Sequence, residues 1–116
     1  MEATRERMYR LHSDVCKAMG HPSRLAIIDL LREGEVTVGA LSEALGRSIS
    51  NTSQHLSVLK SAGLVKCRKE GTTCYYRVST QVIYKAFDCM GEIIFEGSKD
   101  RAAHREYLRR HVLQST

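Results

Sequence analysis

The chain has 116 residues, 42% of them apolar, which is one domain's length with enough apolar side chains for a modest core. No apolar run nears the roughly 20 residues that span a bilayer, and MEATRERMYR has no apolar signal core, so a soluble cytoplasmic protein without a membrane partner is expected. The net charge of +5 favours a polyanion, and with four cysteines and no CxxC pair, no metal or redox motif follows from local spacing alone.

In chain order, Met8, Leu11, Val15 and Met19 recur at three- and four-residue steps and predict a helix over 5–19. Gly20 ends it. Pro22 suits the first position of a second helix, apolar on most sides through Leu25, Ile27, Ile28, Leu30 and Leu31, and closed by Gly34. Thr37 caps a third helix with Leu41, Ala44 and Leu45 toward the core, stopped by Gly46. Ser48 caps a fourth from about Ile49 to Ala62, and Gly63 ends it. A basic hairpin occupies 64–78, a fifth helix 80–96 and a sixth helical segment Lys99 to Val112. With no internal linker, the chain reads as a single winged helix-turn-helix domain, mainly α with a two-stranded β-wing. Its parts are the helix-turn-helix (37–62), the wing (64–78) and a C-terminal extension (97–116).

On a helical wheel, Ile49, Thr52, Leu56 and Leu59 define the buried side of the fourth helix. Ser50, Asn51, Gln54 and Ser57 lie opposite, with Ser53 and His55 on the flanks. Small hydroxyls and amides suit base edges in a major groove, whereas Ser48, His55 and Lys60 are placed for phosphates. The other reading of this face is an ordinary polar helix surface, and the adjacent basic hairpin favours the first.

In the hairpin LVKCRKEGTTCYYRV, a turn centred on Glu70-Gly71 sets Cys67 opposite Cys74, Val65 opposite Tyr76 and Arg68 opposite Thr73. One face then holds Val65, Cys67, Cys74, Tyr76 and Val78. The other holds Lys66, Arg68, Thr73, Tyr75 and Arg77, a basic face suited to DNA, with Lys69 at the tip toward a minor groove or its phosphates. The two thiols are either a switchable pair or two small packing residues.

The ordered motifs KAMGHPSRLAIIDLL, VGALSEALGRSISNTSQHLSVLKSAGLV and RKEGTTCYYRV resemble the ArsR/SmtB family of winged-helix repressors. The resemblance is close from about Val15 to Val78 and loose in the flanking helices. It implies a homodimer through the first and fifth helices (1–19 and 80–96), a partly palindromic double-stranded operator, and release on binding an inducer. The residues agree on a dimer: Val82, Ile83, Ala86, Phe87, Met90, Ile93 and Ile94 form a broad apolar sector beside the first-helix stripe.

The family's two usual metal sites are empty of ligands here. Thr37 and Gly39 stand where one site has cysteines, and Thr80, Val82 and Ile93 replace three ligands of the other, leaving only Glu96. The sensor candidates are therefore the thiols Cys16, Cys67, Cys74 and Cys89. Cys16 and Cys89 border the apolar stripes of helices that the resemblance brings together; they could take As(III) or another thiophilic metal ion, form a reversible disulfide, or be buried core residues. Asp100, His104 and His111 are a weak divalent-metal candidate, set among Arg101, Arg105, Arg109 and Arg110, whose charge repels a cation.

These readings converge on a dimeric, sequence-specific DNA-binding repressor modulated by cysteine chemistry, through redox or reactive sulfur. The alternatives are a thiophilic-metal or arsenic(III) sensor, and a non-sensing DNA-binding protein with structural cysteines. Paired carboxylates, an activated nucleophile and a glycine-rich phosphate loop are all missing, so no enzyme is expected.

Overall fold

The computed structural model describes residues 2–97 together with 102, 103, 105, 106 and 109. The chain divides into two compact units, Met1–Gln81 and Val82–Thr116.

The first unit runs α1 (Ala3–Met19), α2 (Pro22–Leu30), β1 (Val36–Thr37), α3 (Val38–Leu45), α4 (Ile49–Ser61), β2 (Val65–Glu70) and β3 (Thr73–Val78). Its core is Ile27, Ile28 and Leu31 from α2 and the turn after it, Leu41 from α3, Leu56 and Leu59 from α4, and Val65 from β2, all essentially inaccessible to solvent. Thr52 is fully buried among them, and its hydroxyl donates to Ser48 O at 2.9 Å, which removes the cost of an unpaired polar group.

The helix boundaries follow the expected local chemistry. His21 Nδ1 accepts the Ser23 N–H at 3.0 Å ahead of Pro22. Thr37 Oγ1 accepts from Ala40 N–H at 3.2 Å, and Ser48 Oγ from Asn51 N–H at 3.0 Å. Gly63, at φ +77°, ends α4 in a Schellman arrangement: its N–H reaches Lys60 O at 2.9 Å and Leu64 N–H reaches Leu59 O at 2.9 Å.

Several expected core positions are corrected. Ile49, assigned to the buried side of α4, is exposed, because the buried stripe begins a turn later at Thr52. In α3, Ser42 is buried and Ala44 exposed; the Ser42 hydroxyl can enter the core because it donates to Arg47 O at 2.5 Å. The α1 stripe of Met8, Leu11 and Val15, expected at a dimer seam and not in the core, is exposed in the single chain, and the buried residue of this helix is Ala18 at its C-terminal end.

The wing is a three-stranded antiparallel sheet of order β1-β3-β2 rather than a lone hairpin. β1 escapes the sequence reading because two residues show no alternation; it pairs Val36 with Tyr76 and Thr37 with Tyr75. The hairpin register also differs from the expectation: Val65 opposes Val78, Cys67 opposes Tyr76, Arg68 opposes Tyr75 and Lys69 opposes Cys74. The turn is Gly71-Thr72, with Gly71 at φ +64° as its first central residue. A two-residue hairpin turn that needs positive φ only there selects glycine for that place. The pairing has slipped by two, so each side chain keeps its face and Lys69 joins the thiol face near the tip.

The second unit contains α5 (Ile83–Gly97), which begins three residues later than expected. Met90, Ile93 and Ile94 are exposed on it. Ala102, Ala103, Arg105, Glu106 and Arg109 are helical, and Arg109 pairs with Glu106.

Candidate nucleic-acid interface

α3 and α4 form a helix-turn-helix whose turn is Gly46-Arg47-Ser48, with Gly46 at φ +65°. The Ser48 cap and the Thr52 hydroxyl both close on Ser48, so the first turn of α4 is tied at both ends. From this frame Ser50, Gln54 and Ser57 project as exposed polar side chains, while Asn51 and Ser53 are half-buried beside them. Ser48 and Lys60 are exposed at opposite ends of the helix.

Lys60 meets the wing at a shallow cleft of about 410 Å³ lined also by Gly63, Val65, Lys66, Cys67, Arg77 and Ser79. Three of the cations expected to face DNA thus border one concavity, although they are up to 17 positions apart in the sequence (Lys60 and Arg77). Ser79 N–H donates to Leu64 O at 2.9 Å and closes the base of the hairpin beneath it.

Arg68 is placed differently from its neighbours. Its Nε donates to Glu35 Oε2 at 3.0 Å, one terminal nitrogen to Glu35 Oε1 at 3.1 Å, and the other to Glu70 Oε2 at 2.9 Å. The guanidinium also lies over the Tyr75 ring, 4.7 Å from its centroid. The Arg68 hydrogen bond holds the Glu35 carboxyl below the usual range, and the two carboxylates push the Arg68 pKa up. Among the expected DNA-contacting cations, Arg68 therefore already has its charge balanced. Glu35 gave no sequence signal, since its partner is 33 residues away.

His55 is half-buried and turned toward the rest of the unit. Its ring lies 4.4 Å from the His21 ring, tilted by 38°. Arg24 Nη1 donates to His55 Nδ1 at 3.3 Å, while Arg24 Nε and Nη2 donate to Ala18 O at 2.5 Å and Lys17 O at 3.2 Å. One arginine therefore joins the carbonyl end of α1 to α4. Burial lowers the His55 pKa, with further lowering from His21, Arg24 and Arg47.

Cys67 and Cys74 are diagonal neighbours across β2 and β3 rather than directly opposed. Their Cα atoms are 6.0 Å apart and their sulfurs are joined as a disulfide. That spacing is inside the span a disulfide accepts. Cys16 and Cys89 are free and exposed, so neither is the buried core residue allowed for above. Asp100, His104 and His111 lie outside the described residues. Among the described residues, no three His, Cys, Asp or Glu side chains group to hold a metal ion, and no helix is long and apolar enough to cross a membrane.

A helix-turn-helix domain model matches residues 19–68. The HTH-type transcriptional regulator Rv0081 of Mycobacterium tuberculosis is 34% identical over 105 residues, covering 90% of this chain and 92% of that one. The homodimeric winged helix-turn-helix DNA-binding domain Mb0332 of Mycobacterium bovis, a "possible ArsR-family transcriptional regulator", superposes with a TM-score of 0.76 at 32% identity, covering 85% of this chain and 92% of that one. The chain belongs to the ArsR/SmtB family of winged helix-turn-helix transcriptional regulators. The transcriptional repressor SdpR of Bacillus subtilis is 33% identical over 88 residues, covering 76% of this chain and 98% of SdpR. The regulator Rv0324 of M. tuberculosis is 42% identical over 73 residues, 63% of this chain, and the match spans only 32% of that protein's length. Rv0081 and SdpR are thus transcriptional regulators, and Mb0332 is a DNA-binding domain.

Proposed function

We propose that this ArsR-family regulator is a homodimeric repressor whose operator affinity depends on the thiol state of its wing. The observation that carries the reading is the Cys67–Cys74 pair, set across the two wing strands beside the basic cleft. Two thiols would give up two electrons and two protons to an oxidant such as hydrogen peroxide, yielding the disulfide and two waters. The bond would then hold the strands that carry Lys66 and Arg77 in one register, and its reduction would release them. Support for repression comes from similarity to SdpR, and support for a homodimer from similarity to Mb0332 and from the exposed apolar stripe of α1.

The test is binding to a selected operator duplex by reduced, peroxide-oxidised, arsenite-treated and zinc-loaded protein, with each cysteine changed in turn to Ser. A wing switch predicts an affinity change on oxidation that Cys67→Ser and Cys74→Ser both abolish and that Cys16→Ser and Cys89→Ser leave intact. Equal affinity in every state would make the cysteines structural. A response only to arsenite or zinc that follows Cys16 or Cys89 would place the sensor outside the wing.

A further inference from the structure

Ile49 is the first residue of α4 and is 57% exposed, although it is a large aliphatic side chain. It stands between Ser48 and Ser50, at the N-terminal end of the helix that also carries the exposed side chains of Gln54 and Lys60. Leaving such a side chain in water forfeits the burial energy it would gain elsewhere. Its position is not loose. The Ser48 hydroxyl holds the Asn51 N–H and Ser48 O holds the Thr52 hydroxyl, so the backbone that aims Ile49 is fixed. A β-branched side chain in a helix has one strongly preferred χ1, so it is ordered before any partner arrives.

The N-terminal residues of a helix-turn-helix recognition helix are the ones that reach base edges. Base edges in the major groove are hydrogen-bonding groups with one apolar exception, the C5 methyl of thymine. An aliphatic group pre-ordered at that end of the helix has one apolar surface to meet there. We propose that Ile49 packs on the C5 methyl of a thymine in each operator half-site and selects a T·A pair at that position. The inference rests on α4 being the DNA-reading helix, and it adds an apolar contact to the polar readout by Ser50 and Gln54.

The experiment first selects half-sites from a random duplex pool with the full chain at fixed salt. Each thymine of the selected site is then replaced singly by deoxyuridine, which removes the methyl group alone. One thymine per half-site should lose about fourfold in affinity, the factor for one buried methyl group. In Ile49→Ala that penalty should vanish, while affinity for random duplex stays at the wild-type value. Ile49→Val, which keeps a β-branched contact, should retain part of the penalty. No uridine penalty at any thymine, or the same penalty in Ile49→Ala, overturns the proposal; the first outcome needs no variant to fold. A pool that yields no preferred sequence would instead remove the DNA-reading assignment of α4 itself.

Discussion

At the scale of single residues, charge in this interface is not equivalent to affinity. Lys66 and Arg68 are neighbours in β2 and both basic, yet Arg68 is held by Glu35 and Glu70. To contact a phosphate it must give up bonds it already has. Lys66→Ala is therefore expected to weaken specific and non-specific binding alike and to reduce the salt slope by about one. Arg68→Ala should do so less, and titrations at several salt concentrations will separate the two. Gln54→Ala and Asn51→Ala should each cost specific binding about fivefold or more with little change on random duplex, because a bidentate base-edge pair is worth about 1–3 kcal/mol. Unchanged operator discrimination in Gln54→Ala would remove it from the reading face. His55 gives a pH prediction. Folding lowers its pKa below the ordinary 6.5, so the unfolded chain binds more protons in the interval between the two values. The contribution is fully present above 6.5 and is lost as pH falls toward the folded value. Thermal melts from pH 7.5 down to 5 should show a decline that is smaller in His55→Gln.

At the scale of elements, the wing shows which parts of a hairpin a pattern can specify. Alternation assigned Val65, Cys67, Cys74, Tyr76 and Val78 to one face, and the slip by two preserved that assignment. Alternation cannot distinguish registers that differ by two; the turn does that, and Gly71 at φ +64° decides it. β1 then covers the β3 edge and leaves β2 as the outer strand beside the cleft. The disulfide closes a short loop, with a sequence separation of 7. The chain-entropy model gives about 2 kcal/mol for a loop of this length. Reduction should lower the melting temperature of the wild type, and Cys67→Ser should melt like the reduced protein whether or not reductant is present.

At the scale of the whole molecule, α1 exposes Met8, Leu11 and Val15, and α5 exposes Met90, Ile93 and Ile94. Each helix carries an apolar face that its own unit leaves in water, the kind of face that an isologous contact buries in a symmetric oligomer. Leu11→Glu or Val15→Glu should shift sedimentation equilibrium toward monomer. Operator affinity should fall at least tenfold with it, since a monomer engages one half-site where a dimer engages two. Preserved dimerisation in both variants would take α1 out of the seam.

Helix caps, helix order, the polar face of α4 and the two faces of the wing were legible from the sequence, because each depends on residues within a turn or two of one another. Ser48, Gly46 and the Thr52-Leu56-Leu59 stripe are such cases. Long-range pairings were not legible. Glu35 neutralises Arg68 across 33 positions, and Arg24 bridges α1 to His55 across 31, with no periodicity linking either pair. Ile49 fell on the apolar side of the wheel, but a wheel has no ends. Only the tertiary structure shows that the core stops at Thr52 and leaves Ile49 exposed at the tip of α4.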